Sequence, residues 1–133
     1  MNPPVNSPAI KVVKSVREQV SAAEWQARVD LAACYRLTSI YGMTEMVANH
    51  ISCRVPGTTD QFLINPYGML YEEIDASSLI KVDVEGNTLL NESDYDVNVA
   101  GFVIHSAIHI AKHDMDCVAH THTPAGMAVS AME

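Results

Sequence analysis

The sequence Cys117-Val118-Ala119-His120-Thr121-His122-Thr123-Pro124-Ala125-Gly126 joins a strand pattern directly to a helix start. Small and apolar residues lead into two histidines separated by one position, the pattern of a buried strand. Thr123 followed by Pro124 marks a helix start, a capping hydroxyl ahead of proline at the first helical position. Side chains alternate faces along a strand, so His120 and His122 project to the same side with Thr121 between them. Two imidazoles so placed can ligate zinc, which takes nitrogen donors and can keep one coordination position for substrate. Two ligands are too few for a tight catalytic site, so a third protein ligand is required. By itself the pair is a weak signal, because a strand whose histidines only hydrogen-bond their neighbours has the same spacing.

Upstream, Asn98 to Lys112 has a helical period, with Phe102, Ile104, Ala107, Ile108 and Ala111 supplying the apolar surface. His105, His109 and His113 recur every fourth residue and share one face of that helix. His113 sits beside Asp114 at the helix end, where a histidine interacts favourably with the helix dipole. His109 falls among apolar residues and reads as a surface or boundary position, whereas His105, nearest the helix start, is the one to face a pocket. The row as a whole reads as mainly structural, as does the lone His50.

Toward the N-terminus, Asn49–Val55 and Gln61–Asn65 read as a strand pair around Pro56-Gly57-Thr58-Thr59, and Pro66-Tyr67-Gly68 forces the next turn. Asp75 caps a short turn through Ser77 and Ser78. Ile80–Val84 and Thr88–Leu90 follow as strands around Glu85-Gly86-Asn87. Before them, Ser21-Ala22-Ala23-Glu24 has the capping-box form. Trp25, Val29, Ala32, Ala33, Leu37 and Ile40 continue it as a helix that stops at Gly42. Residues 1–15, with Asn2-Pro3-Pro4 and Ser7-Pro8, read as a flexible leader, leaving 16–133 as one domain.

With 133 residues and a net charge of −8, electrostatic capture of nucleic acid or anionic lipid is disfavoured. No apolar run reaches the roughly 18 residues of a membrane span, and no signal-peptide core is present. Cys34, Cys53 and Cys117 form no CxxC pair, which suits a reducing cytoplasm, each as a small buried hydrophobe.

The combination of Val99-Ala100-Gly101-Phe102-Val103-Ile104-His105-Ser106-Ala107-Ile108 with the His120-Thr121-His122 stretch resembles the class II aldolase/adducin family. Tyr35-Arg36-Leu37, Asn49-His50-Ile51-Ser52-Cys53-Arg54, Asn65-Pro66-Tyr67-Gly68-Met69-Leu70-Tyr71 and Asp75-Ala76-Ser77-Ser78-Leu79 extend the resemblance over Trp25 to Met132. It implies a three-layer α/β/α fold with a largely antiparallel central sheet, incomplete at the C-terminus of this chain. It also implies zinc, or another divalent transition metal, held by His120, His122 and a third histidine much later in the sequence. In such aldolases the metal polarises a hydroxy-ketone oxygen and stabilises an enediolate. Asn49, Ser52 and Gly68 fall near positions that line the substrate phosphate pocket, although loop and turn roles explain them equally well. Family members are usually oligomeric.

Three departures bear on activity. The chain stops at Glu133, ahead of the region expected to carry the third histidine, and so reads as a truncated front portion. The position of the aldolases' acid/base glutamate is Gly101, which cannot shuttle a proton. Two phosphate-holding serines are replaced by Val99 and Ala100. Asp94 and Asp96 lie upstream as substitute carboxylates or, more simply, as a solvated acidic loop. Two functions therefore stand: a zinc-dependent aldolase (lyase) acting on a small hydroxy-carbonyl or sugar-derived substrate, and a non-catalytic, adducin-like assembly or protein-binding module.

Overall fold

A computed structural model describes residues 14–132; most of the expected leader, residues 1–13, lies outside the described residues. A short helix α1 (Val16–Gln19) precedes α2 (Ala22–Ile40). Ser21 caps α2 by accepting the Glu24 amide at 3.1 Å, and Gly42, in the left-handed region at φ +66°, turns the chain away at its end. Strands β1 (His50–Arg54) and β2 (Gln61–Ile64) follow, then a 3₁₀ turn at Tyr71–Glu73, β3 (Ile80–Asp83) and β4 (Thr88–Leu90). Helix α3 (Val99–Ala111), capped by the Asn98 side chain, leads to β5 (Cys117–His120) and α4 (Pro124–Ser130). Asp75 accepts the Ser77 and Ser78 amides at 2.7 and 2.9 Å, making the anticipated capped turn.

The five strands form one sheet in the order β4-β3-β2-β1-β5, with every pair antiparallel. Alternation along the strands gives the sheet two covered faces. On one, Ile51, Val55 and Leu63 pack with Leu31 and Tyr35 of α2 and with Tyr71, Ile74 and Leu79. On the other, Phe62, Ile64, Ile80 and Val82 pack with Phe102 of α3. Helices thus cover both sides of an antiparallel sheet, the three-layer α/β/α arrangement. Tyr35 pins α2 to the sheet: its hydroxyl accepts the Ile51 amide at 2.8 Å and lies 2.8 Å from Asn65 Oδ1. Full burial pushes that phenol well above its ordinary pKa.

Both long helices bury a more polar face than their apolar spacing predicts. In α2 the buried residues are Glu24, Arg28, Leu31, Ala32, Tyr35 and Thr38, while Val29, Leu37 and Ile40 are exposed. The cause is a buried ionic cluster. Arg28 donates to Glu24 at 3.0 Å and to the Leu79 carbonyl at 2.7 Å, and Lys81 donates to Glu24 at 3.0 Å. In α3 the buried residues are Gly101, His105, Ser106 and His109, whereas Ile104, Ala107 and Ala111 face outward. There the opposing strand β1 presents His50, Ser52 and Arg54, and polar side chains must meet polar partners when they lose water.

Strand β5 also departs from expectation. It is an outer strand rather than a buried one, so Cys117 and Ala119 are exposed and Val118 and His120 only half-buried. The cysteines follow suit: Cys34 and Cys117 are exposed and Cys53 is half-buried.

Candidate functional site

The β1–β5 register brings the two halves of the site together. His50 stands directly opposite His120, as Cys53 does opposite Cys117. β5 ends at His120, yet the chain stays extended enough for His122 to turn its ring to the same side, with the two ring centroids 4.6 Å apart. Their Nε2 atoms face each other at 2.9 Å. The outward nitrogens are engaged as well. His120 Nδ1 lies 3.3 Å from His50 Nδ1, and His122 Nδ1 contacts the Glu45 carboxylate. Glu45, His122, His120 and His50 therefore form one unbroken row. Burial, followed by the charges that His120 and His122 would carry, lowers the His50 pKa to about 4. His120 is lowered mainly by burial, with Glu45 pulling the other way.

Beneath this row lies a second, fully buried group. The His50 ring stacks on His105 at 4.6 Å and fills the space over Gly101, where an added Cβ would stand 1.9 Å from His50 Cδ2. The Ser52 hydroxyl sits 2.6 Å from His105 Nδ1 and 2.9 Å from His109 Nε2. Having one hydrogen, it donates to one ring and accepts from the other, which locks their tautomers together. Arg54 donates to the His109 carbonyl at 2.8 Å. Burial, then the neighbouring His50, lowers His105 to about 3; burial, then Arg54, lowers His109 to about 4. Both rings are neutral near pH 7.

The positions singled out from sequence fare differently. His120 and His122 are brought together. His105 and His109 are both enclosed, so His109 is a core residue rather than a boundary one, because the polar side of β1 lies against it. His113 is exposed beyond the helix end. Asn49 is buried with neither amide atom bonded, whereas Ser52 is committed to the two histidines. Gly68, at φ +118°, packs against the Tyr95 ring. Asp94 and Asp96 are exposed. The carboxylate that reaches the arm is Glu45. Sequence spacing held no sign of it, because it lies in an irregular loop more than seventy residues from its partner.

The arm's chemistry suits a transition metal. Zinc bonds imidazole nitrogen at about 2.0–2.1 Å, so two donors to one ion stand roughly 3 Å apart, which the facing Nε2 atoms match. Among the described residues no group of three or more His, Cys, Asp or Glu converges as a complete metal cluster. A cavity lined by His120, Thr121, His122, Gly126 and Met127 opens beside the arm.

Residues 29–133 match the family described as Class II Aldolase and Adducin N-terminal domain. The chain belongs to this family. It is 59% identical over 115 residues to a Pseudomonas aeruginosa protein named for aldolase class 2, covering 86% of this chain and 44% of the relative. Alpha-adducin of Rattus norvegicus is 48% identical over 107 residues, covering 80% of this chain and 15% of the adducin. Among solved structures, an L-fuculose 1-phosphate aldolase from Glaciozyma antarctica PI12 superposes with a TM-score of 0.76 at 31% identity, covering 90% of this chain and 48% of that one. The chain thus spans about half the length, or less, of these relatives.

Proposed function

We propose that this chain is the metal-arm portion of a zinc-dependent aldolase, an aldehyde-lyase acting on a small hydroxy-carbonyl or sugar-derived substrate. The observation that carries the proposal is the facing pair of Nε2 atoms on His120 and His122, on a fold similar to that of a sugar-phosphate aldolase. His120 and His122 would supply two of the metal's ligands, with at least one further protein ligand needed for a tight site. A bound zinc ion supplies Lewis-acid polarisation of a substrate oxygen. Within the chain, the buried amide of Asn49 has hydrogen-bonding capacity to spare for substrate. Ser52 positions His105 and His109, and Gly68 shapes its turn. The working protein is read as a cytoplasmic homo-oligomer, in keeping with three unpaired thiols among the described residues. No described helix is long and apolar enough to cross a membrane.

A second reading has its own support. Gly101 brings no carboxylate, and His50 fills the adjoining space, while the chain is 48% identical to alpha-adducin over 107 residues. An adducin-like assembly module without lyase activity is the alternative. Metal analysis of the full-length protein beside a His120→Ala/His122→Ala variant decides the metal arm. Zinc bound to the parent and lost from the variant is expected, and equal content in both removes the enzyme reading. Aldol cleavage assays on hydroxy-carbonyl phosphates then separate lyase from assembly module.

A further inference from the structure

We propose that Glu45 and His50 are positioning residues that fix the two arm histidines in the orientation presenting both Nε2 atoms to one point, Glu45 acting through His122 Nδ1 and His50 through His120 Nδ1. This rests on the metal-arm reading above and adds residues from outside the arm itself.

The donor and acceptor rules along the row leave little freedom. A carboxylate only accepts, so His122 keeps a hydrogen on Nδ1, toward Glu45, and a ring carrying one hydrogen then has its lone pair on Nε2. His120 faces that lone pair with its own Nε2 and faces His50 with Nδ1. With a hydrogen on His120 Nε2, the row donates in one direction, from His50 to His120 to His122 to Glu45. With a cation held between the two Nε2 atoms, the His120 hydrogen belongs on Nδ1. His50 must then accept at its own Nδ1 and carry its hydrogen on Nε2. The number of protons is unchanged, and two hydrogens exchange sites. Holding the second nitrogen of a metal-bound histidine is a recognised way to set ring orientation and basicity.

Neither partner is explained by packing alone. The Glu45 side chain is 53% exposed, where an ion pair adds little to stability. It precedes Met46, whose φ of +48° is a left-handed conformation that side-chain-bearing residues adopt reluctantly. A strained turn thus delivers an exposed carboxylate to a histidine. His50 is buried, its Nε2 has no partner, and its ring is seated where Gly101 has no Cβ. It keeps Nδ1 on His120 while leaving an enclosed polar nitrogen unsatisfied, an arrangement that packing alone does not favour.

The test uses the full-length protein and zinc ion, with affinity read by competition against a chromogenic chelator and histidine tautomers by ¹⁵N ring NMR. Glu45→Ala and His50→Ala are each expected to weaken zinc binding about 10–100-fold. Glu45→Gln, whose amide oxygen still accepts from Nδ1–H, should lose less. On zinc addition to the chelator-treated parent, the His120 hydrogen should move from Nε2 to Nδ1 and that of His50 from Nδ1 to Nε2. Glu45→Ala should leave His122 in mixed tautomers, a signature that a merely structural residue would not produce. Because Glu45 is exposed, that variant tests the idea even if His50→Ala folds poorly. Parent-like zinc affinity and an unchanged His122 tautomer in Glu45→Ala would overturn the inference. If His120→Ala/His122→Ala keeps its zinc, the metal-arm reading itself fails; if it loses zinc and Glu45→Ala does not, only the present inference falls.

Discussion

Gly101 and His50 occupy one volume: a Cβ on the glycine would lie 1.9 Å from Cδ2 and 2.4 Å from Nε2 of the histidine ring. The absent side chain on α3 and the imidazole on β1 are two halves of one packing solution. Any residue larger than glycine at this position must expel the ring from between α3 and the arm.

Gly101→Ala should therefore destabilise the protein by about 1–3 kcal/mol, the usual range for overpacking a filled core. Helix propensity favours alanine, so a loss would report the clash. Paired with His50→Ala, the penalty of Gly101→Ala should shrink well below its single-variant value, since the obstruction is gone. Urea unfolding of the two singles and the double measures both quantities. Additive penalties would contradict the shared volume.

Stability should fall with acid in a window set by the enclosed histidines. His105 and His109 have folded pKa values of about 3 and about 4, against about 6.5 for an unfolded histidine. Between those values the unfolded chain takes up protons that the folded one refuses. The stability present above pH 6.5 is therefore lost as pH drops toward 4. Each ring contributes a slope of up to about 1.4 kcal/mol per pH unit. Unfolding midpoints from pH 7 to pH 4.5 should show the decline, and His109→Gln should flatten it.

The thiols of Cys53 and Cys117 should differ in reactivity although they are opposite one another. The neighbouring Cys53 thiol lowers Cys117 to about 7, and Cys117, with burial, pushes Cys53 far up. Since the thiolate is the nucleophile, iodoacetamide near pH 7.5 should modify Cys117 before Cys53, as read by peptide mass mapping. Cys53→Ala should slow the Cys117 reaction.

Removing Glu24 should be among the most damaging single changes away from the histidines. Arg28 is completely enclosed, with Glu24 as its carboxylate partner and the Ala76 and Leu79 carbonyls as further acceptors. Glu24→Ala would leave a buried guanidinium without its counter-charge, a loss of about 3–5 kcal/mol. A thermal melt of Glu24→Ala beside the exposed control Glu85→Ala gives the comparison.

Much of this architecture was legible in the chain. The capping positions Ser21, Asn98 and Thr123, the glycine at 42 and the alternation in β1 to β3 are local signals, set by hydrogen bonds and dihedrals within a few residues. The pairing of His120 and His122 was legible for the same reason, since their spacing fixes their common side. The burial of the helix faces was not. Apolar spacing pointed to Leu37, Ile40 and Ile104, whereas the fold encloses Arg28, His105 and His109, because a polar side chain is buried wherever another element brings it a partner.

Local signals along the chain set the elements, their order, the family and the pairing of His120 with His122. What surrounds that pair was settled by packing in three dimensions. Strand β5 pairs with β1, sixty-odd residues earlier, in a register that sets His50 against His120, and the loop before β1 carries Glu45 to His122. Register and loop path depend on how the helices and the sheet pack together. No spacing along the chain encodes them, and so half of the candidate site existed only once the sheet was assembled.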